Sequence, residues 1–533
     1  MAPGRWRWTL AVGAVLLFVL ALWTGRAPQS HGQRPPGRAG GEWVEAVPSL
    51  PSSLDPARAR SEVEVRVAAL LYEGLVRLAP DGSLRPALAR RWEVRDGGRR
   101  YVFWLRPGLR FHNGRPLTSA DVVYSLTRLV DPRAPAPRAW VLEGVEGVAE
   151  FRSGRTPTIA GIRALGPDRV EIRLTAPRPG FLYRLATPGG AILDAETLRA
   201  SGGGAFAPVG AGPFRLVARK EGELELEAFT GYYRGRPYLE RVRFVAAGPR
   251  SQTLTAFAEG RLTAVRLLPH EVRELAARGW SGPQWRVEVP ATVGIVVNGA
   301  RPPLSHPAAR RALAYAIDRE TLVAGLAPGG YRLAEGWLPP GLPGALDRPV
   351  LPPYRVLEAR AALQEAGVKP GTPLRWLQPG DPFWAAVAGR LDYLLGRVGL
   401  ELDVATVSQA DFPVAGGAQA PYHLAPWTVW AEYPDPEAVF LPWLSGADGL
   451  VPAGDGTGAA ARRDLGRLLL SAGRRRADAA AQLDRHLLEA GAGLPLYHPV
   501  VVWAVQPGVR GFVPSPFPQG PDLWAVALDP RAR

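Results

Sequence analysis

From residue 43 onward, short stretches with strand periodicity alternate with longer stretches with helix periodicity, and this alternation limits the chain to a mixed α/β fold. Residues 169–177 and 223–229 alternate apolar and polar side chains as half-buried strands do, and residues 93–108 are typical of a hairpin. Apolar residues at helical spacing predict helices over residues 118–129, 307–326, 354–367, 381–399 and 476–491. The expected C-caps of the last three helices are Gly367, Gly399 and Gly491.

The length of the chain predicts more than one substructure. A chain of 533 residues is long for a single hydrophobic core, so we expect two to four. A hydrophobic content of 47% is typical of a globular protein. The 61 glycines and 55 prolines are scattered between apolar runs without a repeat, which indicates turns and loops.

The N-terminal segment is typical of an exported protein. Arg5 and Arg7 precede an uninterrupted apolar run over residues 9–23, and a Pro-, Gly- and Arg-rich stretch covers residues 25–41. We expect residues 1–42 to be a signal peptide or an N-terminal membrane anchor with a flexible linker, and the remainder to be extracytoplasmic. No second stretch is long and apolar enough to span a membrane, which argues against a permease subunit.

The charge of the chain does not indicate nucleic-acid binding. The formal net charge is +15, but the basic residues are spread along the whole sequence, and only Lys220 and Lys369 are lysines. Zinc-finger spacing, an aromatic RNA-binding motif and a basic arm are all absent from the sequence. We therefore expect no nucleic-acid partner, while attraction to anionic cell-envelope surfaces stays open.

The common catalytic and metal-binding motifs are also absent from the sequence. There is no Walker A motif, no H-E-x-x-H, no G-x-S-x-G and no cysteine, and the seven histidines never fall at short ligand spacing. We expect no catalytic residue, no metal site and no cofactor. An extracytoplasmic hydrolase whose site is assembled from distant residues stays an alternative.

One polar stretch, FHNGRPLTSADVVYSLTRL at residues 111–129, raises the question of an active site. His112 has no second ligand nearby, which favours a loop histidine over a catalytic or metal-binding one. Asn113-Gly114 predicts a tight turn, and Thr118 and Asp121 have the spacing of a capping box before an amphipathic helix. The local chemistry of this stretch favours a loop that starts a helix.

Six ordered motifs carry a resemblance to a known family. The first covers residues 72–132, YEGLVRLAPDGSLRPALARRWEVRDGGRRYVFWLRPGLRFHNGRPLTSADVVYSLTRLVDP. The others are SLDP at 53–56, GAGPFRL at 210–216, IVVNGARPPLSHPAARRALAYAIDRETL at 295–322, WAEYPDP at 430–436 and LPLYHP at 494–499. In this order they resemble the extracytoplasmic solute-binding proteins of family 5, the peptide/nickel class, which includes oligopeptide- and dipeptide-binding proteins.

The resemblance implies a fold and a function. The implied fold is a periplasmic-binding-protein-like α/β clamshell of the class II type, with three lobes and hinge crossings near residues 290 and 491. The implied lobes are a discontinuous lobe I at residues 43–72, 178–290 and 491–533, lobe II at 73–177, and lobe III at 291–490.

The implied function is a monomeric receptor that binds a peptide or similar amine-bearing solute and delivers it to the permease subunits of an ABC importer. A sensor for a membrane signalling partner is an alternative, as is a receptor for nickel or another small solute.

The best candidate for a ligand site is residues 425–441, which combine Trp427, Trp430 and Tyr433 with an acidic cluster in a basic chain. Asp435 precedes Pro436 and is typical of a helix N-cap, so we interpret it as structural. Glu432 has no such structural role. In peptide-binding relatives an acidic residue at its position pairs with the ligand's α-amino group, and the resemblance implies that role here.

The resemblance also places two other segments at the cleft. Arg60, Ser61 and Glu62 are expected to face it from lobe I, and Arg138 and Trp140 from lobe II. This chain departs from the oligopeptide-binding relatives in two ways: Ala410 lies where they tend to have a tryptophan, and HLAPW, before the acidic motif, lacks an arginine. Both departures argue against a long peptide.

Overall fold

The computed structural model describes residues 37–200, 206–324, 331–408, 412, 420–444 and 457–529. Residues 1–36, which include most of the predicted signal or anchor segment, lie outside the described residues, and so does Ala410. In the described part of the chain, no helix is long and apolar enough to cross a membrane.

The alternation of strand and helix patterns corresponds to a mixed α/β structure. The strands are β1 (Glu42–Val47), β2 (Val76–Leu78), β3 (Leu84–Pro86), β4 (Ala89–Arg95), β5 (Arg100–Leu105), β6 (Ile162–Ala164), β7 (Arg169–Arg173), β8 (Phe214–Lys220), β9 (Glu223–Ala228), β10 (Arg241–Ala246), β11 (Ala264–Leu267), β12 (Gln284–Glu288), β13 (Ala291–Val297), β14 (Tyr331–Leu333), β15 (Thr372–Pro379), β16 (Leu400–Val407), β17 (Leu424–Trp430), β18 (Gly493–Val505), β19 (Val509–Arg510) and β20 (Ala527–Leu528).

The α-helices lie between these strands in the chain. They are α1 (Glu62–Leu71), α2 (Ser119–Leu129), α3 (Val148–Arg152), α4 (Phe181–Leu185), α5 (Ala195–Ala200), α6 (Arg250–Ala258), α7 (Glu271–Ala277), α8 (Pro307–Ala316), α9 (Arg319–Ala324), α10 (Val356–Glu365), α11 (Pro382–Gly396), α12 (Glu437–Leu444), α13 (Thr457–Leu470) and α14 (Gly473–Glu489). Short 3-10 turns lie at Pro56–Arg58, Asp96–Gly98, Ala139–Leu142, Pro188–Gly190 and Leu523–Ala525.

Strand β18 joins two halves of one large sheet. Within the described residues the sheet runs β16-β15-β17-β13-β18-β11-β1-β10-β9-β8, and β12 and β14 also pair with β18. Residues 493–497 of β18 pair with β13, whereas residues 500–505 pair with β11 and β12. The chain therefore passes between the halves at residues 289–290 and 498–499, which we call the hinge.

Three large hydrophobic cores pack on this framework, and two smaller ones lie beside them. The C-terminal lobe packs β13, β15 and β17 against α8, α10, α11, α12 and α14. The N-terminal lobe packs β1, β8, β9 and β10 against α1 and the end of β18. The small-sheet lobe is built on the sheet β4-β5-β7-β6, with α2 and α4 in the same core. Most of each core lies in predicted lobe III, I or II, but α4, in residues predicted as lobe I, packs in the small-sheet core. The lobe bounds stay a prediction.

Most predicted helices form, with one break. The stretch 307–326 contains two helices, because Ile317 is extended between α8 and α9. The side chain of Asp318 accepts from the backbone N–H of Thr321 at 3.1 Å and from its hydroxyl at 2.7 Å, which caps a new helix.

The polar stretch at 111–129 has the structural role predicted from the sequence. His112 is 8% exposed; its Nδ1 accepts from the backbone N–H of Gly210 at 3.3 Å, and its Nε2 lies 3.2 Å from the carbonyl oxygen of Gly212. Burial lowers the pKa of His112 to about 4, so the ring is neutral near pH 7. Asp121 accepts from the backbone N–H of Thr118 at 2.9 Å, as a capping box requires.

Candidate functional site

A single arginine connects all three lobes. Arg138 lies at the start of a 3-10 turn in the small-sheet lobe, and its side chain is only 4% exposed. Its Nη1 and Nη2 donate to the two carboxylate oxygens of Glu432 in the C-terminal lobe, at 2.9 and 2.8 Å. Its Nε donates to the carbonyl oxygen of Ala59, beside the N-terminal lobe, at 2.7 Å.

All three nitrogen atoms of the planar Arg138 guanidinium donate in this arrangement. Two parallel N–H···O bonds to one carboxylate are stronger and more directional than a single contact, and a lysine could not make them. The carboxylate of Glu432 is 16% exposed, so both charges are largely removed from water. Removing either partner would leave a largely buried charge without compensation.

Glu432 is held in place by its own backbone. It follows the end of β17, which pairs along its whole length with β13. The side-chain amide of Gln519 donates to the carbonyl oxygen of Glu432 at 3.0 Å, and its Oε1 is buried without a partner among the described residues. The backbone of Glu432 is therefore held by β17 and by Gln519, while its carboxylate contacts Arg138 of the small-sheet lobe.

The predicted aromatic residues lie in different environments. Trp427 and Trp430 are half-buried on β17, and the indole N–H of Trp427 is buried with no hydrogen-bond partner in the described part of the chain. Trp140 is half-buried and packs against the cores of both the small-sheet and C-terminal lobes. Tyr433 has no exposed surface and stacks on Tyr183, with ring centroids 5.6 Å apart.

The segment Arg60, Ser61 and Glu62 lies next to Ala59, which places it beside Arg138. Ser61 is the N-cap of α1 and accepts from the backbone N–H of Glu64 at 3.2 Å. Glu62 is half-buried and accepts from Arg66 at 3.1 Å and also from Arg266. Arg60 is exposed. Ser61 and Glu62 thus have partners within the N-terminal lobe, whereas the carbonyl oxygen of Ala59 accepts from Arg138 of the small-sheet lobe.

A second buried charge network lies beneath Glu432. Glu437, in the first turn of α12, accepts from Arg184 Nε and Nη2 at 2.8 and 3.1 Å, and neither side chain is exposed. Arg476 on α14 donates to Glu437 at 2.8 Å and to Asp435 at 2.6 and 2.9 Å. Asp435 also accepts from the backbone N–H of Glu437 at 2.9 Å, so its predicted capping role is confirmed.

The two carboxyl groups of this network respond differently to their surroundings. Burial opposes ionisation of Glu437, but Arg184 and Arg476 more than offset it and lower the pKa of Glu437 to about 2. Burial raises the pKa of Asp435, and the negative charge of Glu437 raises it further, against the effect of Arg476. Glu437 is thus ionised near pH 7, and it binds Arg184 on α4 and Arg476 on α14.

No local sequence pattern indicates the roles of Arg184 and Arg476. Each lies in a helix far along the chain from its partner, 253 residues for Arg184 and Glu437 and 39 for Arg476 and Glu437. In the described part of the chain, no group of three or more His, Cys, Asp or Glu side chains could hold a metal ion.

Comparison with known proteins agrees with this architecture. A family model for the bacterial extracellular solute-binding proteins, family 5, matches residues 83–450, more than half of the chain. The solved structure of Haemophilus influenzae OppA in complex with RPPGFSPFR is similar, with a TM-score of 0.80 at 20% identity, over 92% of this chain and 100% of that one. The structure of AgaA from A. tumefaciens R10 in complex with agropinic acid has a TM-score of 0.78 at 23% identity, over 92% and 99%.

Two curated relatives show the range of names in the family. A di/tripeptide-binding protein of Pseudomonas aeruginosa strain UCBPP-PA14 is 30% identical over 349 residues, which cover 61% of this chain and 64% of the relative. A probable deoxycholate-binding periplasmic protein of Escherichia coli strain K12 is 29% identical over 345 residues, which cover 62% and 63%. The alignments thus span less than two thirds of the length of these relatives.

Three α/β lobes that meet at a polar contact define a clamshell of the class II periplasmic-binding-protein type. The chain belongs to the bacterial extracellular solute-binding proteins, family 5. This family consists of binding proteins rather than enzymes.

Proposed function

We propose that this protein is the extracytoplasmic receptor of an ABC importer, and that it binds a peptide or similar amine-bearing solute between its lobes without transforming it. The observation that carries the proposal is the bidentate contact of Arg138 with Glu432, which joins the small-sheet lobe to the C-terminal lobe at the segment next to Arg60. Family membership supports the receptor role.

The pair offers two complementary groups to a solute with an ammonium and a carbonyl or carboxylate oxygen. When the lobes separate, Glu432 loses its partner and can accept from the ammonium, while Arg138 can donate to the oxygen. The solute would replace one buried ion pair with two charge-assisted contacts, so neither charge stays uncompensated. The half-buried Trp427, Trp430 and Trp140 would supply apolar contact area.

Several finer features belong to the same proposal. Residues 1–42 act as a signal peptide or membrane anchor with a linker, and the three lobes work as a monomer outside the cytoplasmic membrane. Delivery requires a permease in the membrane. Closure of the lobes around the solute presents the docking surface.

The contact at Glu432 is tested by calorimetric titration with trialanine and with N-acetyl-trialanine. Glu432→Gln removes the negative charge, so it should weaken binding of trialanine by about tenfold and leave N-acetyl-trialanine nearly unchanged. The matched control is Glu320→Gln, an exposed carboxylate in α9. Equal losses for both ligands would contradict an amine contact at Glu432.

A further inference from the structure

A cavity of about 200 Å³ lies against the hinge. Val289 and Pro290 line it from one crossing of the chain, and Pro499 and Val500 line it from the other. Neither Arg138 nor Glu432 is among the lining residues, so this hinge cavity is distinct from the contact that carries the proposed receptor function.

His498 supplies a hydrogen-bond acceptor to the hinge cavity. It is 6% exposed, and its Nδ1 lies 3.0 Å from the hydroxyl oxygen of Thr292 and 3.2 Å from the carbonyl oxygen of Ala291. The Thr292 hydroxyl already donates to the carbonyl oxygen of Trp337 at 2.9 Å, so both neighbours of Nδ1 accept. The proton of the neutral ring therefore lies on Nδ1, and Nε2 is left as an acceptor.

The imidazole ring of His498 stays neutral at physiological pH. Burial lowers the pKa of His498 to about 4, the carbonyl oxygen of Ala291 opposes the shift, and the positive charge of Arg332 adds to it. The only ionised groups lining the hinge cavity, among the described residues, are Arg332 and Glu288, both exposed at its edge.

Arg332 and His498 are neighbours across two strands. They are directly paired in the antiparallel ladder of β14 and β18, so their side chains lie on the same face of the sheet. In the described part of the chain the guanidinium of Arg332 has no hydrogen bond or ion pair. A cation and a neutral acceptor are thus adjacent at the edge of an apolar space.

We propose that the hinge cavity binds a small carboxylic acid with an apolar body and a hydrogen-bond donor on the carbon next to the carboxylate. The carboxylate meets Arg332, the donor meets Nε2 of His498, and the body packs against Pro340, Leu342 and Phe517. An apolar cavity of roughly 150 Å³ already holds a benzene-sized molecule, so the space is sufficient. Because both hinge crossings line the cavity, its occupant would favour one hinge arrangement over another.

The proposal is tested by calorimetric titration of the full chain with phenyllactate, which carries both a carboxylate and an adjacent hydroxyl. Phenylpropionate lacks the donor and phenylethanol lacks the carboxylate, so each should bind at least about tenfold more weakly. Equal affinity for the three probes, or no binding of phenyllactate, would overturn the proposal.

Variants distinguish the hinge cavity from the interlobe contact. Arg332→Gln should weaken phenyllactate binding by about tenfold and leave phenylethanol unchanged, whereas Arg273→Gln, an exposed arginine on α7, should change neither. Pro340→Phe narrows the cavity from its partly exposed edge, so it should weaken the binding of all three probes. Loss of phenyllactate binding in Glu432→Gln, with binding retained in Arg332→Gln, would place the acid at the interlobe contact and overturn the proposal.

Discussion

A buried carboxyl group on α14 gives this protein a stability that depends on pH. Asp484 has no exposed surface and accepts from the backbone N–H groups of Trp337 and Leu338, at 2.9 and 3.0 Å. Burial raises the pKa of Asp484 to about 6, although the two N–H donors oppose the shift. The unfolded chain, with an ordinary pKa near 4, releases this proton first as the pH rises.

We therefore expect Asp484 to lower the free energy of unfolding as the pH rises from about 4 to about 6, by roughly 3 kcal/mol in all. The side chain of Asp484→Asn cannot titrate. Relative to the parent protein, the free energy of unfolding of this variant should therefore rise by this amount between pH 4 and pH 7. Urea unfolding of both proteins at the two pH values measures the difference. Because both proteins contain His112 and His498, the pH-dependent contributions of these histidines to the free energy of unfolding cancel in the comparison. If the two proteins differ by the same free energy of unfolding at both pH values, the carboxyl group of Asp484 does not titrate in this range.

At the residue scale, the sequence indicates the roles of single charged residues better than it indicates which residues they pair with. No cap or turn accounts for Glu432 in the sequence, whereas the neighbouring Pro436 identifies Asp435 as a cap. The contact of Glu432 with Arg138 joins residues 294 apart, and no local pattern encodes such a separation. Ligand contact by the predicted site residues stays a prediction.

The helices α4 and α12 are tied together by a fully buried ion pair. Arg184 donates two hydrogen bonds to Glu437 and a third, at 3.0 Å, to the carbonyl oxygen of Glu143. Because α4, which carries Arg184, packs in the core of the small-sheet lobe and α12, which carries Glu437, packs in that of the C-terminal lobe, the pair links two lobes without water access.

Arg184→Met should destabilise the protein by about 3 kcal/mol, because it leaves the buried Glu437 with Arg476 as its remaining cationic partner. The matched control is Arg311→Met, which breaks an ion pair with Glu365 whose side chains are 48% and 58% exposed, and it should cost less than about 1 kcal/mol. Urea unfolding at pH 7 measures both. A loss for Arg184→Met no larger than the control's would show that the pair adds nothing to stability.

At the element scale, the sequence predicted what is local. The capping box at Thr118 and the glycines after three helices are local signals, and Gly367, Gly399 and Gly491 all adopt positive φ. The break between α8 and α9 was missed because apolar spacing continues through Ile317. Only the competing cap at Asp318 separates the two helices.

Contacts between the lobes hold the whole molecule together. Arg138 and Arg184 both connect the small-sheet lobe to the C-terminal lobe, and the proposed solute site requires the contact of Arg138 with Glu432 to open. The hinge is suited to such an opening because, among the described strands, β18 alone continues from one half-sheet into the other. The order of the strands could not be read from local periodicity, since β18 pairs with strands from distant parts of the chain. The resemblance supplied the architecture instead.

The central claim is that a solute binds at the contact of Arg138 with Glu432. Native mass spectrometry of the protein, incubated with an equimolar mixture of dipeptides and tripeptides, tests it most directly. We expect an adduct of a few hundred daltons that leaves on collisional activation in the parent protein and in Glu320→Gln, and that is lost or strongly reduced in Arg138→Gln combined with Glu432→Gln. An adduct of equal abundance in the double variant, or no adduct on the parent protein, would contradict the account.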